Sequence, residues 1–229
     1  MNNILELTQR ADQLVRNKLY DHDELSQIGL SRNHIFRLVR EGTLLNPVRG
    51  VFHHKDRDSH ELDSLALIAK RYPESLFVLY TAAEQWDMNE VATDYVWVSI
   101  PSSRGKSISM GVDFERPVRT LLCEREIDLT VGVTEACVLG QRIKLTTPER
   151  TLVDIWRMST LSGEKHANRI AVREESVFQS FEAYLKRSDG SLAQLAEVAE
   201  KLDLSDRLKS QFFSFAKTYV NAFEAQQVI

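Results

Sequence analysis

The chain has 229 residues and a 43% hydrophobic content, enough to bury a real core in one large domain or two small ones. No apolar run approaches about 20 residues, which excludes a bilayer-spanning helix; the start, MNNILELTQR, carries Glu6 and lacks the parts of a signal peptide, so a cytoplasmic protein is expected. The net charge of −4 excludes a uniformly basic nucleic-acid binder, yet residues 31–57 hold six Lys/Arg against two Asp/Glu while residues 58–229 hold 20 against 26, a basic head on an acidic body.

In chain order, Asn2 or Asn3 caps a first helix running to about Lys18, with Ile4, Leu7, Ala11, Leu14, Val15 and Leu19 on one face. DELSQ, residues 23–27, reads as a short second helix capped by Asp21 or Asp23, and Ile28-Gly29-Leu30 as its turn. Ser31 caps a third helix, and Gly42 ends it in the left-handed conformation. At about 100° per residue, Ile35, Leu38 and Val39 share a buried stripe, while Asn33, Arg37 and Arg40 share the opposite one. Two guanidiniums and an amide suit guanine and adenine edges and phosphates. Leu44-Leu45 and Val51-Phe52 then flank Asn46–Gly50 as a hairpin, or wing, with Arg49 near its tip. An ordinary helical hairpin with a solvated basic face would give the same pattern.

His53 and His54 are neighbours that point apart in an extended chain, and no further His lies at ligand spacing, so no metal site is expected. Their charged surroundings suggest a boundary: residues 1–57 as a winged helix-turn-helix, 58–158 as an α/β domain with a mixed sheet, and 159–229 as a helical region, in all an α+β fold. Within the middle segment a helix is predicted from Ser59 to Arg71, and strands at Leu76–Tyr80, Tyr95–Ile100, Val118–Cys123 and Leu129–Val133. A short helix starts at Thr81, and Cys137–Gly140 with Gln141–Leu145 reads as a hairpin. Thr147 caps a helix to about Met158, with Pro148 at its first position. Helices at Glu175–Arg187, Ser191–Leu202 and Ser205–Ala225 follow; the aromatic stripe of the last one is core, with a dimer seam as the alternative.

The chemistry-bearing patterns are incomplete. Gly105-Lys106-Ser107 resembles the end of a phosphate loop, but Ile100 stands where the first glycine belongs and Pro101 offers no N–H. Arg104 and Lys106 remain as secondary contacts for a DNA backbone. Asp113 and Glu115 lack the Glu-x-Lys that a nuclease would place on a strand, and Glu124 and Glu126 beside Arg119 and Arg125 read as surface ion pairs. Cys123 and Cys137 match no metal spacing and read as free thiols. No catalytic residue, cofactor or metal is expected, and the chain is read as not an enzyme.

SRNHIFRLVREGTLLNPVRGVFH, residues 31–53, closely resembles the winged helix-turn-helix of the AbiEi antitoxins of type IV toxin–antitoxin systems, through Ser31-Arg32, Phe36-Arg37-Leu38-Val39, Gly42 and Arg49-Gly50-Val51-Phe52. VWVSIP at 96–101 and TTPERTLVDIWR at 146–157 are similar to the family's second domain, and the resemblance covers roughly residues 5–160. It implies a repressor that binds promoter repeats of its own operon as a homodimer or as paired monomers. It also implies an antitoxin that counteracts a nucleotidyltransferase-like toxin without a stable complex. Two alternatives stay open: a stand-alone regulator of mobile-element or phage-defence genes with no toxin, and an antitoxin acting by protein contact. The DNA-binding set is Ser31, Arg32, Asn33, Phe36, Arg37, Arg40, Arg49 and Lys55.

Overall fold

A computed structural model of the chain describes residues 9, 11–58, 63–88, 94–104, 108, 114, 116–163 and 172–227, with side chains to Phe223. The fold is α+β. Helices α1 (His22–Gln27) and α2 (Arg32–Arg40) precede a two-stranded antiparallel sheet of β1 (Leu44–Val48) and β2 (Val51–His54), and then α3 (Asp63–Arg71). A five-stranded sheet is built from β3 (Leu76–Phe77), β4 (Val96–Pro101), β5 (Val118–Cys123), β6 (Val133–Val138) and β7 (Gln141–Thr146), in the order β5-β4-β3-β7-β6. Its helices are α4 (Leu79–Gln85), α5 (Ile127–Thr130) and α6 (Pro148–Arg157), followed by α7 (Glu174–Lys186), α8 (Leu192–Lys201) and α9 (Asp206–Gln227).

The chain divides into two compact units. One comprises Met1–Ser75, Ile108–Val118 and Glu135–Lys144; the other comprises Leu76–Ser107, Arg119–Thr134 and Leu145–Ile229. This differs from the expected boundaries after residues 57 and 158. Helix α3 groups with the first unit because Lys70 on it reaches Glu24 at 2.5 Å and Asp21 at 3.2 Å, and Asp63 takes the buried Arg57 at 2.5 Å. The C-terminal helices do not stand apart either, since α6 packs on both α7 and α8.

The second unit is organised around α6. Thr147 Oγ1 accepts from Arg150 N at 3.3 Å, and Pro148 fills the first turn, where its missing N–H costs nothing. Leu152, Val153, Ile155 and Trp156 are buried, and the Trp156 ring meets Phe212 of α9 edge-on at 5.1 Å. Arg150, only 3% exposed, donates to Asp154 at 2.7 Å, to Val131 O at 2.7 Å and to Asp128 O at 3.2 Å, so its burial is matched by partners.

Several predicted elements shift. The strand predicted at Leu76–Tyr80 stops at Phe77, because Leu79 adopts φ +50 and opens α4. Leu129–Val133 is not a strand: α5 and a turn at Gly132 occupy it, and β6 begins at Val133. Gln13 to Lys18 runs as turns rather than helix, tied by a Tyr20 hydroxyl that accepts from Val15 N at 2.9 Å. The caps at Asn2 and Asn3, and Ser59, lie outside the described residues.

Gly132 carries a specific demand. Its φ is +61, and a Cβ there would sit 2.6 Å from Arg150 Cβ. Gly140, at φ +75 in the β6–β7 turn, has nothing within 4 Å of that position. Gly132→Ala is therefore expected to cost about 2 kcal/mol or more, from left-handed strain plus displacement of Arg150. Gly140→Asn should cost well under about 1 kcal/mol, since Asn tolerates that conformation. Urea denaturation of both variants checks the contrast.

Candidate nucleic-acid interface

Within the first unit, Asp21 begins α1 with a reciprocal cap. Its side chain accepts from Glu24 N at 2.9 Å, while Glu24 Oε2 accepts from Asp21 N at 3.0 Å. Ser31 caps α2 by accepting from His34 N at 3.4 Å. Ile35 and Leu38 of α2 are buried against Leu25, Leu30, Leu44 and Phe52. Tyr20 adds a third extended segment, exchanging two 2.8 Å backbone hydrogen bonds with Phe52. Thus α1, α2 and the hairpin close on one small core.

The opposite side of α2 is open. Ser31, Arg32, Asn33, Phe36 and Arg40 are exposed. The Arg32 guanidinium lies 5.6 Å from the Phe36 ring centre, a cation over an aromatic face, and Phe36 stays 53% exposed. His22 stands edge-on to Phe52 at 4.8 Å and to Phe36 at 6.3 Å. Arg37 is half-buried, and its Nε donates to Glu41 Oε1 at 3.0 Å.

That pair does little for the helix. An i,i+4 pair contributes about 0.2–0.5 kcal/mol, and less with the cation first. A carboxylate at the C-terminal end opposes the helix dipole by about 0.3–1 kcal/mol, and Glu41 is the C-terminal cap residue of α2.

On the hairpin, Arg49 is exposed at the tip beside Gly50. The register passes from Leu45↔His53 to Val48↔Val51, so β1 carries one extra residue. That bulge accommodates Pro47, which has no N–H for the ladder. Asn46 pins it by donating to Val48 O at 2.8 Å and Val51 O at 2.6 Å. Lys55 is exposed just past β2, its own N–H donating to Thr43 O at 3.1 Å. Eight of the ten sequence-predicted contacts therefore lie in this unit, on α2, its cap, the hairpin tip and the hairpin's exit. Arg104 belongs to the other unit, and Lys106 lies outside the described residues. Sequence reasoning passed over Glu41, His22 and Lys70; of these, only Glu41 carries a local sequence signal, its i,i+4 spacing from Arg37.

In the second unit a cavity of about 300 Å³ has an apolar wall including Val78, Leu79 and Met158, and a charged one. Its charges are largely engaged with one another. Arg125 is bidentate on Asp128 at 2.8 and 2.9 Å, not paired with Glu124 or Glu126 as predicted. Burial would raise the Asp128 carboxyl, but hydrogen bonding from Arg125 and the nearby Arg150 and Arg157 charges hold it below its ordinary value. Both cysteines are free, and burial pushes the Cys123 thiol up. Among the described residues no three His, Cys, Asp or Glu gather as a metal site, and no helix is long and apolar enough to cross a membrane.

No family model and no curated protein matches the chain. A crystal structure of the RV2827C protein from Mycobacterium tuberculosis is similar over 91% of this chain and 78% of that one, at 12% identity and a TM-score of 0.45.

The first unit should lose stability in two acid steps. Burial lowers the pKa of His53, so the folded state disfavours its protonation; that stability is present above the ordinary 6.5 and is lost as pH falls below it. Burial also acts to raise Asp21 and Glu24, but their reciprocal backbone bonds and Lys70 outweigh it and lower both, so their contribution is present above 3.8 and 4.5 and lost as pH falls further. Thermal melts from pH 8 to 3 are expected to show both declines. His53→Gln should remove the first, and Lys70→Met should shrink the second.

Proposed function

We propose that the chain is a sequence-specific DNA-binding transcriptional repressor of the AbiEi antitoxin type, with α1, α2 and the β1–β2 hairpin acting as a winged helix-turn-helix. The observation that carries this reading is the two-sidedness of α2: Ile35 and Leu38 are buried, while Arg32, Asn33, Phe36 and Arg40 stand in solvent beside a hairpin with Arg49 at its tip. A helix about 10–12 Å across fits the major groove. Asn33, Arg37 and Arg40 read base edges, and Phe36 meets a thymine methyl. The Ser31-capped N-terminus and Arg32 sit at phosphate, while Arg49 and Lys55 touch backbone or minor groove. The partner is duplex DNA carrying promoter repeats, bound by two copies of the chain in the cytoplasm. The reading needs no catalytic group, cofactor or metal. The resemblance of the 31–53 and 146–157 motifs adds the antitoxin role, exercised without a stable complex with the toxin.

The test is titration onto the promoter region upstream of the protein's own gene, against scrambled duplex of equal length, at two salt concentrations. A shift on the promoter that persists at higher salt is expected; equal shifts on both duplexes, lost with salt, would leave only a basic patch. Asn33→Ala or Arg40→Ala should each cost about 1–3 kcal/mol and relax specificity at one position. Arg49→Ala should weaken binding to all sequences alike and reduce the salt slope by about 1.

A further inference from the structure

The guanidinium of Arg37 has an acceptor in place before any nucleic acid arrives. Its Nε donates to Glu41 Oε1 at 3.0 Å, and among the described residues the two terminal Nη groups have no acceptor. Fixing the Nε–H direction fixes the plane of the rigid guanidinium, and what remains is the end-on fork of Nη1 and Nη2. That fork matches the paired O6 and N7 acceptors of guanine in the major groove. An adenine presents N7 beside an amino group, and a pyrimidine presents no such pair.

The position of Glu41 is costly for any bland role. It opposes the dipole of α2 at its C-terminal end, pairs in the weaker cation-first order, and puts negative charge beside the basic face formed by Arg37 and Arg40. A free arginine there would swing to the nearest phosphate and raise affinity for every sequence. An arginine tethered through Nε cannot do so without giving up its partner.

We infer that Glu41 is a positioning residue that makes Arg37 a guanine reader and withholds it from phosphate. This rests on the DNA-binding reading above, and it assigns Glu41 to specificity at the expense of affinity.

The test uses the full chain and the footprinted duplex from upstream of its gene, with each protected guanine replaced in turn by 7-deazaguanine, which lacks the N7 acceptor. With the natural sequence, one replacement should weaken binding about 10-fold, within the range of a bidentate contact. In Glu41→Ala that penalty should shrink to about two-fold, while binding to scrambled duplex tightens and its salt slope steepens by about 1 as Arg37 moves to phosphate. Glu41→Gln keeps the acceptor oxygen and should keep most of the penalty. The inference is overturned if no single replacement matters, if Glu41→Ala retains the full penalty, or if both variants lose affinity equally on operator and scrambled duplex. Equal binding of both duplexes by the natural sequence would overturn the repressor reading as well, which separates the two failures.

Discussion

A buried guanidinium is the constraint on which the second unit depends. Arg150 is almost wholly out of water, and a charge in that position survives only if its donors are met. Asp154 takes Nε one helical turn on, and the carbonyls of Val131 and Asp128 take the terminal nitrogens. The Asp128 carbonyl belongs to α5 and the Val131 carbonyl to the turn that follows it, so the side chain fastens that segment to α6 by the backbone itself. Removing one partner of such a set typically costs about 3–5 kcal/mol, because the remaining charge stays buried and unmatched. The geometry propagates outward. Gly132 must lack a Cβ because Arg150 passes against it, and Thr147 N donates to Gly132 O at 2.8 Å from the next strand end.

Seen this way, TTPERTLVDIWR is a structural motif. Thr146 accepts from Trp86 Nε1 at 2.7 Å and lies 2.7 Å from the Thr151 hydroxyl, both threonines being fully buried. Thr147 and Pro148 start the helix, Arg150 and Asp154 form the clamp, and Leu152, Val153, Ile155 and Trp156 are core. Each of these positions has a packing or bonding reason, so the motif serves the fold. The first unit follows the same economy of polar groups. Asp21, Glu24 and Lys70 satisfy one another, Tyr20 and Phe52 satisfy each other's backbone, and Asn46 satisfies a bulge. Among the described residues, the outer face of α2 is one surface that this packing leaves unengaged.

That division explains what was legible in the sequence. Helix α2 was readable to within a residue, because Ser31 and Gly42 are strong local stops and the burial period of Ile35 and Leu38 is local too. Helix α6 was readable for the same reasons at Thr147 and Pro148. The misread elements depend on distant atoms. Leu79 takes a left-handed φ that no local rule assigns to leucine, and it cuts short an apolar run that otherwise looks like a five-residue strand. Leu129–Val133 is apolar enough for a strand, yet the carbonyls of Asp128 and Val131 are claimed by Arg150 from about twenty residues away. Arg125 chose Asp128 over the adjacent glutamates because Asp128 lies one helical turn on, within bidentate reach. Charge counts located the basic segment but not the pairing of Arg37 with Glu41, which needs the helix register and the side-chain direction together.

Under the proposed reading, the pairing bears on how a chain of net charge −4 would meet a polyanion at all. Phosphate contacts release counterions and contribute affinity without regard to sequence, so a protein with few of them binds non-specific DNA weakly. Several basic residues of the first unit are committed: Arg57 is held by Asp63, Lys70 by Glu24 and Asp21, and Arg37 by Glu41. On α2, the hairpin and its exit, Arg32, Arg40, Arg49 and Lys55 are exposed. A single copy so equipped would gain little from electrostatics alone, and the proposed site would then draw on base contacts and on a second copy bound to an adjacent repeat. Low charge and committed cations thus push the proposed interface toward dependence on sequence and repeats, the opposite regime from a basic coat protein.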